Sequence, residues 1–541
     1  MGNSIFQHRL VLNSLLECFD KDGQFDVDLF MLFRRNQSAD RVVVWEQKLT
    51  ECLELAEEEM AADKEGHPGR NPRQTKANPL MYRNDEGILV PLRPKGSTWY
   101  AIYVESPQLD NKKFHQKFRK RFRTPYSHFL ELVRMVKESD LFKRWLSFDA
   151  VGKESSPIKL MVLGALRYLG RGWTFDDLEE STAIHEETHR VFFHVFVVWG
   201  STVFFDSYVV HPTNAEEAAT HTHKMGIAGF DGCVGSTDAT HVGMERCSYR
   251  VANVNTGSKL SMPSRTYNIT VNHRRHTLST TRGHPARWND KTLVLFDLFV
   301  VGIYEGRFLS EVEFNLLERD ADGKIATACY RGAWLMVDNG YLCWPTTVPP
   351  MKDAITYDDI RFSKWLESMR KDVECAFGIL KGRFRILKTG VRVHGVEATD
   401  KIWLTCCALH NFVLEADGLN EQWDNGVPSD WEGDLGRHSP RDVNTFLPPA
   451  LSRALRPDQM SEYDTSGMGP GNDHEANMDV EPDPDLGDDP ALGDKTTRIV
   501  RHLSLNYFRK KLVEHFSIRF SQNSVQWPSR IAMVEPRISA P

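Results

Sequence analysis

Gly232-Cys233-Val234-Gly235-Ser236-Thr237-Asp238-Ala239-Thr240-His241 opens with small and apolar residues and then delivers a carboxylate. The run reads as a short buried strand bounded by turn residues, with Asp238 at its end. A hundred positions on, Trp334-Leu335-Met336-Val337 repeats the pattern and closes on Asp338. A third acid, Glu374, sits in a stretch whose apolar residues recur at Phe362, Leu366, Met369, Val373, Phe377 and Leu380, a helical period. Two strand-end carboxylates and one helix carboxylate, brought together, make a cage for hard divalent cations, the equipment of a phosphodiester-cleaving enzyme. Each acid also has an ordinary reading. An Asp after a strand is commonly a turn former or helix cap. Glu374 follows Arg370 by one helical turn and can pair with it on a solvated face.

The segments around the three acids recur as an ordered set. Ser236-Thr237-Asp238-Ala239-Thr240-His241 is followed by Gly283-His284-Pro285 with Trp288-Asn289-Asp290, and then by Val337-Asp338-Asn339-Gly340-Tyr341. Val373-Glu374-Cys375-Ala376-Phe377-Gly378 leads into Lys381-Gly382-Arg383-Phe384, and Ala408-Leu409-His410-Asn411 closes the set. Taken together they resemble the DDE transposases of the PIF/Harbinger superfamily, with their domesticated nuclease relatives and the plant transposon proteins. The 36 positions from Asp338 to Glu374 match the close second-to-third spacing of a DDE triad.

The resemblance implies an RNase H-like fold and Asp238, Asp338 and Glu374 as catalytic ligands of divalent metal, Mg²⁺ or its substitute Mn²⁺. It implies hydrolysis at transposon ends, followed by attack of the freed 3′-hydroxyl on target DNA. It also implies a Myb/SANT-like DNA-binding partner, a homo-oligomer that cuts two ends, and a nuclear location. Two rivals stand beside it: a domesticated relative that binds DNA or a partner without transposing, and a chromatin protein whose core is a scaffold.

Cations gather in two places. Lys117, Arg119, Lys120 and Arg121 alternate with Phe114, Phe118 and Phe122, giving one apolar stripe and one basic face. That face is a solvated surface, a phosphate-tracking surface or a nuclear import signal. Arg370, Lys381, Arg383, Arg385 and Lys388 surround Glu374, with Arg370 and Lys381 on its helical face, where scissile phosphates would approach. His241 contacts phosphate, orients Asp238, or is a core histidine; Asp290 is a further site carboxylate or a helix cap.

The fold class expected is α/β: an RNase H-like catalytic domain, a preceding helical, helix-turn-helix-like domain, and a disordered acidic tail. Its regions are an N-terminal helical part over 1–60, with patches at 11–19 and 42–60, and a linker over 61–108. The helical domain covers 109–215, the nuclease 216–418, the acidic segment 419–494, and a terminal helix with its tail 495–541. Phe175–Ser181 and Glu186–Trp199 outline a helix-turn-helix, although Glu186 and Glu187 would open the recognition helix with negative charge, which favours a structural cap. Tyr267, Ile269 and Val271 alternate with polar residues as a half-buried strand, with 276–281 as its hairpin partner. A helix is expected over Trp288–Gly302, and another from Thr497 to Phe520 that docks on the body or on a partner.

From Pro457 to Asp494 there are 12 acidic and no basic residues, so setting that segment's −12 apart from the net −7 leaves +5 on the rest. A mildly basic body suits a nucleic-acid protein better than the whole-chain charge suggests. No apolar run reaches membrane-spanning length, and Met1 to Phe6 begin nothing like a secretory leader. Nine cysteines without a C-x-x-C pair point to reduced thiols and give no zinc pattern.

Overall fold

A computed structural model describes residues 81–83, 86–146, 155–417 and 497–526. The patches at 11–19 and 42–60, the first part of the linker and the acidic segment lie outside the described residues.

A short hairpin, β1 (Met81–Arg83) and β2 (Leu89–Pro91), precedes the helices. Helix α1 (Lys112–Phe122) starts where the Asn111 side chain accepts a hydrogen bond from the Lys113 amide, and it buries Phe114, Phe118 and Phe122 on one stripe. Those rings pack with Tyr103, Tyr126 and Phe129, the last two on α2 (Tyr126–Glu138). Helices α3 (Ile158–Arg171), α4 (Phe175–Thr182) and α5 (Glu186–Gly200) follow. A capping box between Thr174 and Asp177 fixes the start of α4. Two further helices, α6 (Val203–Tyr208) and α7 (Ala215–Ile227), lead to the sheet.

Strands β3 (Cys233–Gly243), β4 (Ser264–Val271), β5 (Thr277–Thr280) and the two-residue β6 (His284–Pro285) come next. The helix expected over 288–302 is broken in two: α8 (Asp290–Val294) and α9 (Leu298–Glu305). Asp297 causes the break, because its carboxylate accepts from the amides of Phe299 and Val300 and so caps a new helix. Then come β7 (Glu313–Arg319), β8 (Ile325–Arg331), β9 (Trp334–Met336) and β10 (Thr347–Val348). The long α10 (Tyr357–Arg383), the short α11 (Ile386–Thr389) and α12 (Val396–Ala416) complete this part, and β11 (Arg498–Ile499) and α13 (Leu505–Ser521) end the described chain.

The main sheet runs β10-β9-β3-β4-β5, with β6 also on β4. β3, β4 and β5 are antiparallel neighbours, whereas β9 and β10 run parallel to β3. The protein is thus mixed α/β, as the sequence led us to expect. β4 is covered on both faces rather than half-buried: its polar residues Asn268 and Thr270 are fully buried. Thr270 bonds Thr237 and the Asn268 amide donates to Asp297, so their polar atoms are satisfied inside the sheet's layers.

One hydrophobic core joins α1 to α6 with β4, α10 and α12, so the helical segment packs against the elements that carry the site. A second core answers the question of the terminal helix. Phe508, Leu512 and Phe516 of α13 pack among Phe230, Trp334, Phe362 and Trp365, while β11 adds to the edge of β8. The fully buried Glu318 is paired with both Arg498 and Lys511. The helix docks on its own body.

Candidate active site

Register brings the first two acids together. β3 and β9 run parallel, and their last pair is Ser236 with Met336. Asp238 lies two residues further along β3 and Asp338 two residues past the end of β9, so the two acids stand at adjacent places along these neighbouring chain segments. β9 stops at Met336 while β3 continues to Gly243, still paired with β4, where Asp238 faces Ile269. Asp238 is therefore mid-strand, not at a strand end as the sequence suggested. What ends is its neighbour, and the departure of β9 opens the gap that leaves the carboxyl 16% exposed. Asp338 lies in the turn that follows, with Oδ1 accepting from the Gly340 amide at 2.8 Å.

The third acid comes from α10, whose apolar stripe is largely buried and whose Arg370 and Glu374 stand one turn apart. Arg370 donates from Nη2 to Glu374 Oε1 at 2.9 Å and from Nη1 to Asp238 Oδ2 at 3.1 Å. The ordinary pairing of Arg370 with Glu374 is thus real, and the same guanidinium ties the helix acid to the strand acid. Arg370 is buried in this bridge, so it is an internal counter-charge rather than a surface phosphate contact.

A fourth carboxylate joins them. Asn289, not Asp290, caps α8 by accepting from the Thr292 amide at 2.9 Å, which frees Asp290 from that duty. A Cβ placed on Gly340 would stand 3.0 Å from Asp290 Oδ2 and 3.0 Å from Asp338 Oδ1, so a side chain there would crowd both carboxylates where they close around the turn. Burial pushes the Asp238 carboxyl up to about 6, with the Asp338 and Asp290 charges adding to the effect against Arg370. Burial also raises Asp290, Lys259 opposing and Asp338 reinforcing. The Tyr341 hydroxyl, bonded to Asn268, is held well above its ordinary value by burial and then by the charges of these acids. The pocket is one in which negative charge is expensive and a cation is welcome.

The other basic candidates divide. Lys381 donates from Nζ to Thr240 Oγ1 and to the His241 carbonyl, both at 2.8 Å, fastening α10 to β3, and burial lowers it to about 8. His241 lies an odd number of residues from Asp238, so it takes the opposite sheet face and shares a hydrogen bond with Thr266; burial lowers it to about 4. It does not orient Asp238. Arg383 is fully buried against His410, a core residue where the sequence suggested a basic surface. Arg385 and Lys388 are exposed. On α1, Lys117, Lys120 and Arg121 are exposed, whereas Arg119 is paired with Asp417. Exposed Glu186 and Glu187 do open α5.

The donor set is chemically suited to a divalent cation: four carboxylates, hard oxygen ligands, two of them raised by burial. Among the described residues no group of three His, Cys, Asp or Glu side chains is close enough together to hold a metal ion. Arg370 stands between Asp238 and Glu374 and hydrogen-bonds both.

Residues 237–411 match the family model of a DDE superfamily endonuclease. This segment is similar to a DDE superfamily endonuclease. The match begins one residue before Asp238 and ends at Asn411, so it contains all three acids and the closing His410-Asn411. It supports a nuclease or transposase-like function with DNA as substrate, in a superfamily that generally uses divalent metals. Searches of curated proteins and of solved structures found no match. No helix among the described residues is long and apolar enough to cross a membrane.

Proposed function

We propose that this protein is a DDE transposase of the PIF/Harbinger type that cuts phosphodiester bonds at transposon ends and joins the freed ends to target DNA. The observation that carries the reading is the in-register placement of Asp238 and Asp338 with Glu374 joined to them through Arg370, inside a segment that matches a DDE endonuclease. The strand order β5-β4-β3-β9-β10, three antiparallel strands followed by two parallel ones, supports an RNase H-like fold.

In this reading Asp238, Asp338 and Glu374 hold divalent metal, Mg²⁺ or Mn²⁺, and Asp290 adds a fourth oxygen donor. Bound metal supplies charge neutralisation at the phosphate and an activated oxygen nucleophile. The protein's own residues supply the rest. Arg370 balances the acids before they are loaded and must release Asp238 and Glu374 when they become ligands. Lys381 locks α10 against β3, fixing Glu374 relative to Asp238. Asp238 must be ionised to act, so activity rises with pH as its carboxyl loses its proton.

Lys117, Lys120, Arg121, Arg385 and Lys388 form the phosphate-facing surface, with affinity that falls with salt. The acidic start of α5 is poorly suited to base reading, which supports end recognition by a Myb/SANT-like partner. A homo-oligomer that brings two ends together and a nuclear location complete the proposal. The test is an oligonucleotide assay on terminal-repeat ends with Mg²⁺, Mn²⁺ or chelator. Metal-dependent cleavage followed by joined products is expected. Cleavage without joining would reduce the reading to a nuclease.

A further inference from the structure

Past Gly243 the chain leaves the sheet for an excursion, residues 244–263, and returns as β4. Its stem is tightly made. The Met244 amide donates to Pro263 O at 2.8 Å, the Glu245 amide to Val391 O at 2.9 Å, and the Ser264 amide to Asn255 O at 2.7 Å. Asn255 is buried, and its side chain donates to Val251 O at 2.9 Å. Arg287 reaches across to Asn253 Oδ1 at 3.0 Å and Thr256 O at 3.2 Å. Any side chain at Gly257 would overlap the Ala286 carbonyl. The excursion is a built platform with its backbone committed.

On that platform stands Tyr249, a residue 95% exposed. An aromatic side chain left in water by a well-fixed backbone gains nothing from the fold, and its apolar area is available to something else. Arg246 and Lys259 lie on the same excursion, both exposed and neither in an ion pair among the described residues. The Lys259 charge reaches Asp290 and His241, so the platform adjoins the carboxylate site.

We propose that residues 244–263 grip the DNA flanking the cut, with Tyr249 stacked on a base and Arg246 and Lys259 on phosphates. The inference rests on the nuclease reading of the carboxylate site. Exposed rings and cations carried on one surface are the means by which proteins hold unpaired nucleic-acid strands without reading their sequence. Gly243 lies five residues beyond Asp238 along β3, roughly 16 Å at strand rise. For DNA laid along β3, that places the stem of the excursion about five nucleotides from the cut bond.

The test uses the full chain in chelator, so that binding is read without cleavage, and DNA in which the strand flanking the bond nicked in Mg²⁺ is left unpaired and carries 2-aminopurine at successive positions on either side of that bond. Wild type should quench the probe strongly in a narrow window to one side of that bond. Tyr249→Ala should abolish the window and weaken Kd about 5- to 150-fold, the range of one lost base–aromatic stack, while Tyr249→Phe keeps both. Unchanged melting temperatures establish that the variants fold. A Tyr249→Ala protein with wild-type Kd and quenching overturns the proposal. So does one that keeps DNA binding but loses self-association, which would make the platform a protein-docking surface. Wild type that quenches yet nicks no DNA in Mg²⁺ or Mn²⁺ leaves the grip standing and removes the nuclease reading.

Discussion

Replacing Asp238 with Asn in metal-free protein should change how stability depends on pH. The folded protein holds this carboxyl at about 6 against an ordinary 3.8, chiefly because ionising it inside the sheet costs hydration. The fold therefore prefers the protonated acid. The associated stability is fully present below the unfolded value and is lost as pH rises through about 6. The gap is worth roughly 3 kcal/mol in full, of which roughly 2 to 3 kcal/mol falls between pH 4 and pH 7. Asn cannot ionise, and its amide oxygen can still accept from Arg370. The assay is urea denaturation of wild type and Asp238→Asn in chelator at half-unit pH steps. The variant should gain on wild type by roughly 2 to 3 kcal/mol from pH 4 to pH 7. A difference that stays constant over that range would refute the argument, because it would mean Asp238 carries no buried charge cost.

Four further outcomes follow from the same contacts. Asp290→Asn should weaken Mn²⁺ binding, read by calorimetry, about 10- to 100-fold if it acts at the site's edge; unchanged affinity would return Asp290 to a structural role. Arg370→Gln should lower metal-free stability at pH 7.5 by about 3 kcal/mol, since it strips a buried acid of its partner, and Mn²⁺ should raise its melting temperature more than that of wild type. Phe516→Ala should cost about 3 to 5 kcal/mol in the core that fastens α13, whereas a surface-docked helix would lose far less. Neutralising Lys117, Lys120 and Arg121 should flatten the salt dependence of DNA binding by about 0.9 per lost contact, and neutralising Arg119 as well should add little, because Asp417 already pairs with it.

Local placement was more legible than long-range placement. That Asp338 follows a buried strand and Glu374 lies on a helix could be read because an apolar run and a helical period depend on local sequence alone. The mid-strand position of Asp238 could not, because it depends on where another strand, β9, stops. Asp290 was obscured by Asn289: either residue can cap a helix, and only the hydrogen bond to Thr292 decides which does. Arg383 sits in a basic run and looks like surface, yet its partner, His410, is 27 residues away. The break at Asp297 went unread because a capping acid inside an apolar stretch resembles an ordinary helical residue. Two signals could have served better. Asp290 follows a residue equally able to cap, and Gly340 two residues after Asp338 marks a close approach.

The central claim is that Asp238, Asp338 and Glu374 act as one metal-dependent nuclease centre. Nicking of supercoiled plasmid tests it most directly, with wild type, Asp238→Asn, Asp338→Asn and Glu374→Gln compared in Mg²⁺, Mn²⁺ and chelator. Wild type should nick with either metal and not in chelator. Each variant should lose at least about a hundredfold in rate, the order set by removing one preorganised catalytic group, while remaining folded. Near wild-type nicking by any one variant, or nicking that persists in chelator, would contradict it.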